Sequence, residues 1–120
     1  MKAILAVLAL VSFSLTFNGR VAAQMGHECQ HDMTTVASLH QCVQHASEMG
    51  HIDNVGVAQS LLAKIDAAQA AMDRGQQAVA VNQLEALIRE LDAQSGRHVG
   101  AEHAIHLAEH ALKIIQALGG

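Results

Sequence analysis

The stretch at residues 53–75, DNVGVAQSLLAKIDAAQAAMDRG, decides the fold. Its apolar residues recur every three or four positions, the spacing that places side chains on one face of a helix. The residues of this face are Ala58, Leu61, Ile65, Ala68 and Met72. Asp53 or Asn54 is a good N-cap, and Gly75 is a good stop. The stretch therefore predicts an amphipathic helix that must bury its apolar face against other helices.

Similar stripes, that is, apolar residues at helical spacing, precede and follow this stretch in the sequence. A first helix is predicted from about Thr34 to Met49, a third ends before Ser95, and a fourth begins near Gly100. The residues predicted to be buried are Val36, Leu39, Val43 and Ala46 in the first helix; Val81, Leu84, Ile88 and Leu91, with Leu87 beside them, in the third; and Ala104, Ala108, Ala111, Ile115 and Leu118, flanked by Ile105 and Leu112, in the fourth. Short connections make neighbouring helices antiparallel. We expect an all-α, up-down antiparallel four-helix bundle over residues 34–120, with a homodimer as an open alternative for so small an alanine-rich core.

The first 23 residues have the pattern of a signal peptide. Lys2 is the basic start, Ala3 to Phe17 form an apolar run, and Val21-Ala22-Ala23 provides small residues for cleavage. The run is shorter than the about 20 residues that a membrane-spanning helix needs. We expect a mature chain that starts at Gln24, is periplasmic or secreted, and does not insert into a membrane.

The charge and composition of the mature chain disfavour nucleic acid as a partner. Loss of Lys2 and Arg20 with the leader leaves five basic residues against eleven acidic ones, a formal charge of −6. DNA and RNA binding depends on positive charge that neutralises phosphates. Both phenylalanines, Phe13 and Phe17, lie in the leader, so the mature chain has no aromatic side chain to stack on bases.

Residues 24–33 form a short segment, expected to be flexible, that is rich in metal-binding side chains. They are Met25, His27, Cys29, His31 and Met33. Thioether, thiolate and imidazole groups suit Cu(I), and thiolate with imidazole also suits Zn(II). Copper is the leading prediction, with zinc or nickel as alternatives; a polar tail without a metal is the other interpretation.

The two cysteines offer a competing use of the same sulfur atoms. Cysteines of an exported chain are commonly oxidised, and a Cys29–Cys42 disulfide would close a loop of about 14 residues, worth roughly 3 kcal/mol by the chain-entropy estimate. Thiolate ligation by Cys29 and this disulfide exclude each other.

Three histidines of the fourth helix form a second candidate metal site. His103, His106 and His110 are spaced i, i+3 and i+7 and share one side of the helix. That side lies opposite the predicted apolar stripe, so we expect the three imidazoles in solvent, where pairs of them can share a metal ion. The alternative is a solvated polar face without a ligand.

Four motifs resemble a known family. They are Gly50–Asp53, Ser60–Ala68, Asn82–Ile88 and Ala93–His98. Together they resemble the FIMAH domain, a helical module appended to secreted bacterial proteins that include hydrolases. The resemblance implies an accessory role without catalysis.

A second, weaker likeness is to small His-rich helical proteins of the periplasm that bind metals. It rests on Gly50-His51, on His98-Val99-Gly100 and on the histidines of the last helix. Because the second and third helices carry no histidine, the likeness implies one or two discrete sites.

The sequence contains no nucleophile elbow, phosphate-binding loop or HExxH pattern, so we expect no enzymatic activity. It predicts an exported, non-catalytic helical protein that binds a transition metal as a buffer or chaperone. The alternative is an accessory module that binds a protein or cell-surface partner without a metal.

Overall fold

A computed structural model describes residues 32–120. Four helices fill this range: α1 (Val36–Glu48), α2 (Val55–Asp73), α3 (Gln77–Gln94) and α4 (Ala101–Ala117). The described range contains no β-strand, and none of its helices is long and apolar enough to cross a membrane.

The helices form a closed ring. Each helix packs against its neighbour along the chain, and α4 returns to pack against α1. Among these four helices, the backbones of the diagonal pairs, α1 with α3 and α2 with α4, do not come within 8 Å of each other at any Cα atoms. This arrangement confirms the predicted all-α, up-down four-helix bundle.

Side-chain caps start the first two helices. The Thr35 hydroxyl accepts a hydrogen bond from the Ser38 amide at 3.2 Å, and the Asn54 side chain accepts one from the Val57 amide at 3.0 Å. Each cap satisfies a backbone donor that the first turn leaves unpaired. Of the two predicted caps of α2, Asn54 is the one used.

The core confirms the predicted face of α1, where Val36, Leu39, Val43 and Ala46 are all buried. In α2 all of the predicted positions are buried except Met72, which is partly buried. The centre of the α3 core is displaced towards Leu87, which is fully buried, whereas Val81 and Ile88 are only partly buried.

The predicted buried face of α4 needs a larger correction. Leu107 and Ile114 are buried, whereas Ile105 and Leu112 are 58% and 45% exposed. The helix must pack against both α3 and α1 to close the ring, and this rotates its core face towards α1. Hydrophobic spacing in α4 alone does not reveal that second neighbour, because apolar residues lie on both flanks of its stripe.

Candidate functional site

Two connecting loops are paired at one end of the bundle. The first joins α1 to α2 through residues 49–54, and the second joins α3 to α4 through residues 95–100. The Asp53 amide donates to the His98 carbonyl at 3.0 Å, and the Gly100 amide donates to the His51 carbonyl at 2.9 Å. Between these bonds, Ile52 and Val99 form an antiparallel β-bridge. We call residues 49–54 and 95–100 the paired loops.

Two glycines turn the chain at the start of these loops. Gly50 and Gly96 have φ values of 82° and 74°, in the left-handed region that glycine occupies without steric cost. After Gly50 the Ala46 carbonyl accepts hydrogen bonds from the next two amides, and after Gly96 the Gln94 carbonyl accepts from the next three. These bonds satisfy helix-end carbonyls and direct both loops back over the core.

The loops are anchored by burial as well as by hydrogen bonds. Ile52 is 3% exposed and Val99 is 1% exposed, and both belong to the main hydrophobic core. Apolar packing therefore anchors the paired loops to the core, and hydrogen bonds join the two loops to each other.

Three histidines lie on the paired loops and the adjoining first turn of α4. The rings of His51 and His103 are stacked, with centroids 3.7 Å apart and planes at 16°. Nδ1 of His98 lies 2.8 Å from a carboxylate oxygen of Asp53, and these side chains are 44% and 62% exposed. One ring–ring contact and one imidazole–carboxylate contact thus lie at this end of the bundle.

Exposed apolar side chains lie at the two ends of the first of the paired loops. Met49, at the end of α1, is 53% exposed, and Val55, at the start of α2, is 72% exposed. Two exposed apolar side chains thus border the paired loops.

The structure separates the three histidines of α4 that were predicted to form a metal site. His103 stacks on His51, His106 is exposed, and His110 is 2% exposed in the core. The prediction that all three lie in solvent is wrong for His110, because this side of α4 turns towards α1 to close the bundle.

His110 lies in the core, where burial favours the neutral form of its ring. Burial lowers its pKa below the ordinary value of 6.5; a backbone hydrogen bond at Thr35 opposes this shift, Lys113 adds to it, and Asp32 opposes it. Its Nε2 atom is buried and has no hydrogen-bond partner among the residues described. Charging this ring would place an ion in the core, which is costly.

Most of the predicted N-terminal metal cluster lies outside the described residues. This applies to Met25, His27, Cys29 and His31. Met33 is described, and its sulfur accepts a hydrogen bond from Nζ of Lys113 at 3.6 Å. The copper prediction for this segment therefore stays a prediction.

The predicted disulfide is untested for the same reason. Cys42 is buried at 1% exposure on α1, but Cys29 lies outside the range that the structure describes. The Cys29–Cys42 bond stays a prediction.

Within residues 32–120, no three or more His, Cys, Asp or Glu side chains form a group that could hold a metal ion. At the paired loops, the stacked rings of His51 and His103 face each other instead of converging on a common point.

A polar network between α2 and α3 contains a hydroxyl, an amine and a carboxylate. The Ser60 hydroxyl donates to Glu90 at 2.9 Å, and Nζ of Lys64 lies 2.9 Å from the Ser60 oxygen and 2.6 Å from Glu90. A serine beside a lysine can be a nucleophile and its base. Here Glu90 accepts a hydrogen bond from the Ser60 hydroxyl and pairs with Lys64, so the network joins two helices.

Sequence reasoning located the histidines of the paired loops but missed the partnership of His51 and His103. In the sequence, His51 and His98 are singled out only by the family motifs and by the weaker likeness to His-rich metal-binding proteins. The available signal was the pair of segments Gly50-His51 and Gly96-Arg97-His98, since each follows the end of a helix in an up-down bundle and the two ends coincide.

The comparisons agree with the arrangement of helices. A family model described as the FIMAH domain matches residues 36–116, from the first residue of α1 nearly to the end of α4. No curated protein and no solved structure matches the chain. The second likeness, to small His-rich metal-binding proteins, is not shown by any of the comparisons.

Proposed function

The chain belongs to the FIMAH domain family, and from that premise we propose that it is a non-catalytic interaction module whose paired loops bind a protein or cell-surface partner. The observation that carries the proposal is the stack of His51 on His103 beside exposed Met49 and Val55. It joins a rigid polar centre to apolar side chains that have no role in the core of the chain.

Rigidity supports binding at this end. Interface side chains and loops that are already ordered lose less conformational freedom when a partner binds. The Asp53–His98 and His51–Gly100 backbone bonds and the burial of Ile52 hold the loop backbone in one conformation.

The four motifs that resemble the family also support an interaction role over catalysis. Gly50–Asp53 and Ala93–His98 build the paired loops, whereas Ser60–Ala68 and Asn82–Ile88 supply helix faces of α2 and α3. These segments account for the paired loops and the core beneath them, and the polar network at Ser60 joins α2 to α3.

Site-specific photo-crosslinking in producing cells tests the proposal. A photoreactive residue is placed at Met49 or Val55, with Val79, an exposed residue of α3, as the matched control. We expect one discrete adduct from the two loop positions, absent at Val79, with a lower yield when His51 and His103 are both replaced by Ala. Equal labelling at all three positions, or none at either loop position, would contradict the proposal.

Export is part of the proposal and rests on residues 1–23. The basic start, the apolar run and Val21-Ala22-Ala23 support removal of a leader and release of the chain to the periplasm or medium. Mass spectrometry of the protein recovered from the envelope and medium tests this, with Gln24 as the expected first residue. A chain recovered only in the cytoplasm with Met1 retained would contradict it.

Copper binding is the second candidate function. It is favoured by the alternation of thioether, thiolate and imidazole groups from Met25 to Met33. This role uses a different part of the chain from the paired loops, so the two functions are separable by experiment.

A further inference from the structure

An open apolar groove lies between α3 and α4. Its volume is about 260 Å³, and its apolar lining is made by Ile88, Ala104, Ile105 and Ala108. Arg89 and Asp92 line the same groove from α3. The groove meets the paired loops only at Ser95, and its other lining residues are not used in the proposed function.

Ile105 is more exposed than Leu112, the other large hydrophobic side chain that α4 leaves in solvent. It is 58% exposed, whereas its helix neighbours Ala104 and Leu107 are 4% and 5% exposed. Contiguous exposed apolar surface, unlike a single exposed side chain, marks a site of association, and Ile105 extends the apolar lining of this groove.

Within residues 32–120, the two charges in the groove have no ion-pair partner. Arg89 and Asp92 are both exposed and are three residues apart on α3, a spacing at which opposite charges can pair. The ion pairs of residues 32–120 include neither of them. Both charges are therefore available to a molecule that binds in the groove.

We propose that the occupant of the groove is a second copy of this chain, bound with two-fold symmetry. A two-fold interface uses one patch twice, so the patch must be complementary to itself. An axis that passes between Arg89 and Asp92 places Arg89 opposite Asp92 of the second copy, and the symmetry repeats this pair.

The same axis also brings the apolar residues of the two grooves together. Residues 88–92 of α3 and 104–108 of α4 lie at the same height of the bundle, because they line one groove. Each copy therefore presents Ile105 to the groove of the other. The reciprocal ion pairs also act against the repulsion between two acidic chains.

Sedimentation equilibrium of the purified protein tests the dimer, with charge exchange as the specific probe. Arg89→Asp and Asp92→Arg each place like charges opposite one another across the axis. We expect each variant alone to raise the dimer Kd about tenfold or more, since like charges in an interface disfavour binding. An equal mixture of the two variants has opposite charges at both contacts, and we expect it to regain association.

Two further variants make the test decisive. Ile105→Asp is expected to abolish association with its circular dichroism unchanged, because Ile105 is outside the core; Val79→Asp is the matched control on α3 and is expected to associate as the parent does. A parent chain that is monomeric at every soluble concentration overturns the proposal. So does an association that survives Ile105→Asp, or a mixture of charge variants that stays as weak as its components.

Discussion

The ring of His51, in the loop after α1, stacks on the ring of His103, in the first turn of α4, with 3.7 Å between their centroids. The contact joins the two ends of the bundle sequence, because α1 and α4 are its first and last helices. It lies directly beside the backbone bond from Gly100 to His51, so ring stacking and loop pairing reinforce the same junction.

The stack is predicted to stabilise the bundle as well as the loops. Replacing His51 or His103 by Ala should lower the free energy of unfolding by about 0.5–1.5 kcal/mol, the range for aromatic pairs. The double variant should lose less unfolding free energy than the two single variants lose in total, because either substitution alone already removes the stack. Urea denaturation followed by circular dichroism measures this, since the chain has neither Trp nor Tyr. His106→Ala, on the same helix but exposed, is the control, and strict additivity of the stack variants would argue against the coupling.

Stability is predicted to fall in acid because of His110. Its pKa is lowered in the folded chain by burial, so the unfolded chain binds the proton more readily as the pH falls below 6.5. The folded state is favoured fully above that pH and loses this contribution as the pH decreases towards the lowered pKa. His110→Leu should make the unfolding free energy less dependent on pH between 6.5 and the lowered pKa.

The matched control for this prediction is His106→Leu, which changes an exposed histidine of the same helix. It should keep the pH dependence of the parent. Two variants with identical pH profiles would show that His110 is not the source of the acid sensitivity.

The network of Ser60, Lys64 and Glu90 is predicted to hold α2 to α3. Glu90→Ala should lower the free energy of unfolding by about 1–3 kcal/mol, because it leaves partly buried polar groups without their partner. The side chains of Lys64 and Glu90 are only 28% and 17% exposed, so solvent screens the pair incompletely. A double-mutant cycle with Lys64→Met measures the coupling.

A histidine–carboxylate contact with an exposed carboxylate provides the comparison for that cycle. Nε2 of His40 lies 3.3 Å from Asp66, whose side chain is 69% exposed. Its coupling should be near zero, as for most solvent-exposed pairs. Equal coupling energies in the two cycles would show that partial burial does not strengthen the Lys64–Glu90 pair.

Copper binding is predicted to depend on the N-terminal segment and not on α4. Replacing Met25, His27, His31 and Met33 together by Ala should abolish saturable binding in calorimetric titrations with Cu(I) and Cu(II), while the bundle keeps its circular dichroism. His106→Ala should bind as the parent does. Unchanged affinity in the four-residue variant would exclude the segment as the site; titrations of oxidised and reduced protein report whether Cys29 takes part.

Hydrophobic spacing predicted helix number, order and most of the core. It worked best for α1 and α2, where a single apolar stripe is bordered by polar residues, as at Leu39 and Leu61, which are both fully buried. It failed in α4, where Ile105 and Leu112 continue the apolar pattern on one flank and His110 interrupts it on the other. Spacing along one helix records which residues are apolar, but it does not record which of two flanks a neighbour covers.

The sequence by itself determined a helical bundle, because stripes at helical spacing have to be buried against one another, and glycines at 50, 75 and 96 end the first three helices. Only the tertiary structure decided that His51 meets His103, that His110 lies in the core and that Ile105 remains exposed. These outcomes follow from closure of the ring, which fixes the rotation of α4 between α1 and α3. That rotation is a compromise between two interfaces, and no local stretch of sequence contains both of them.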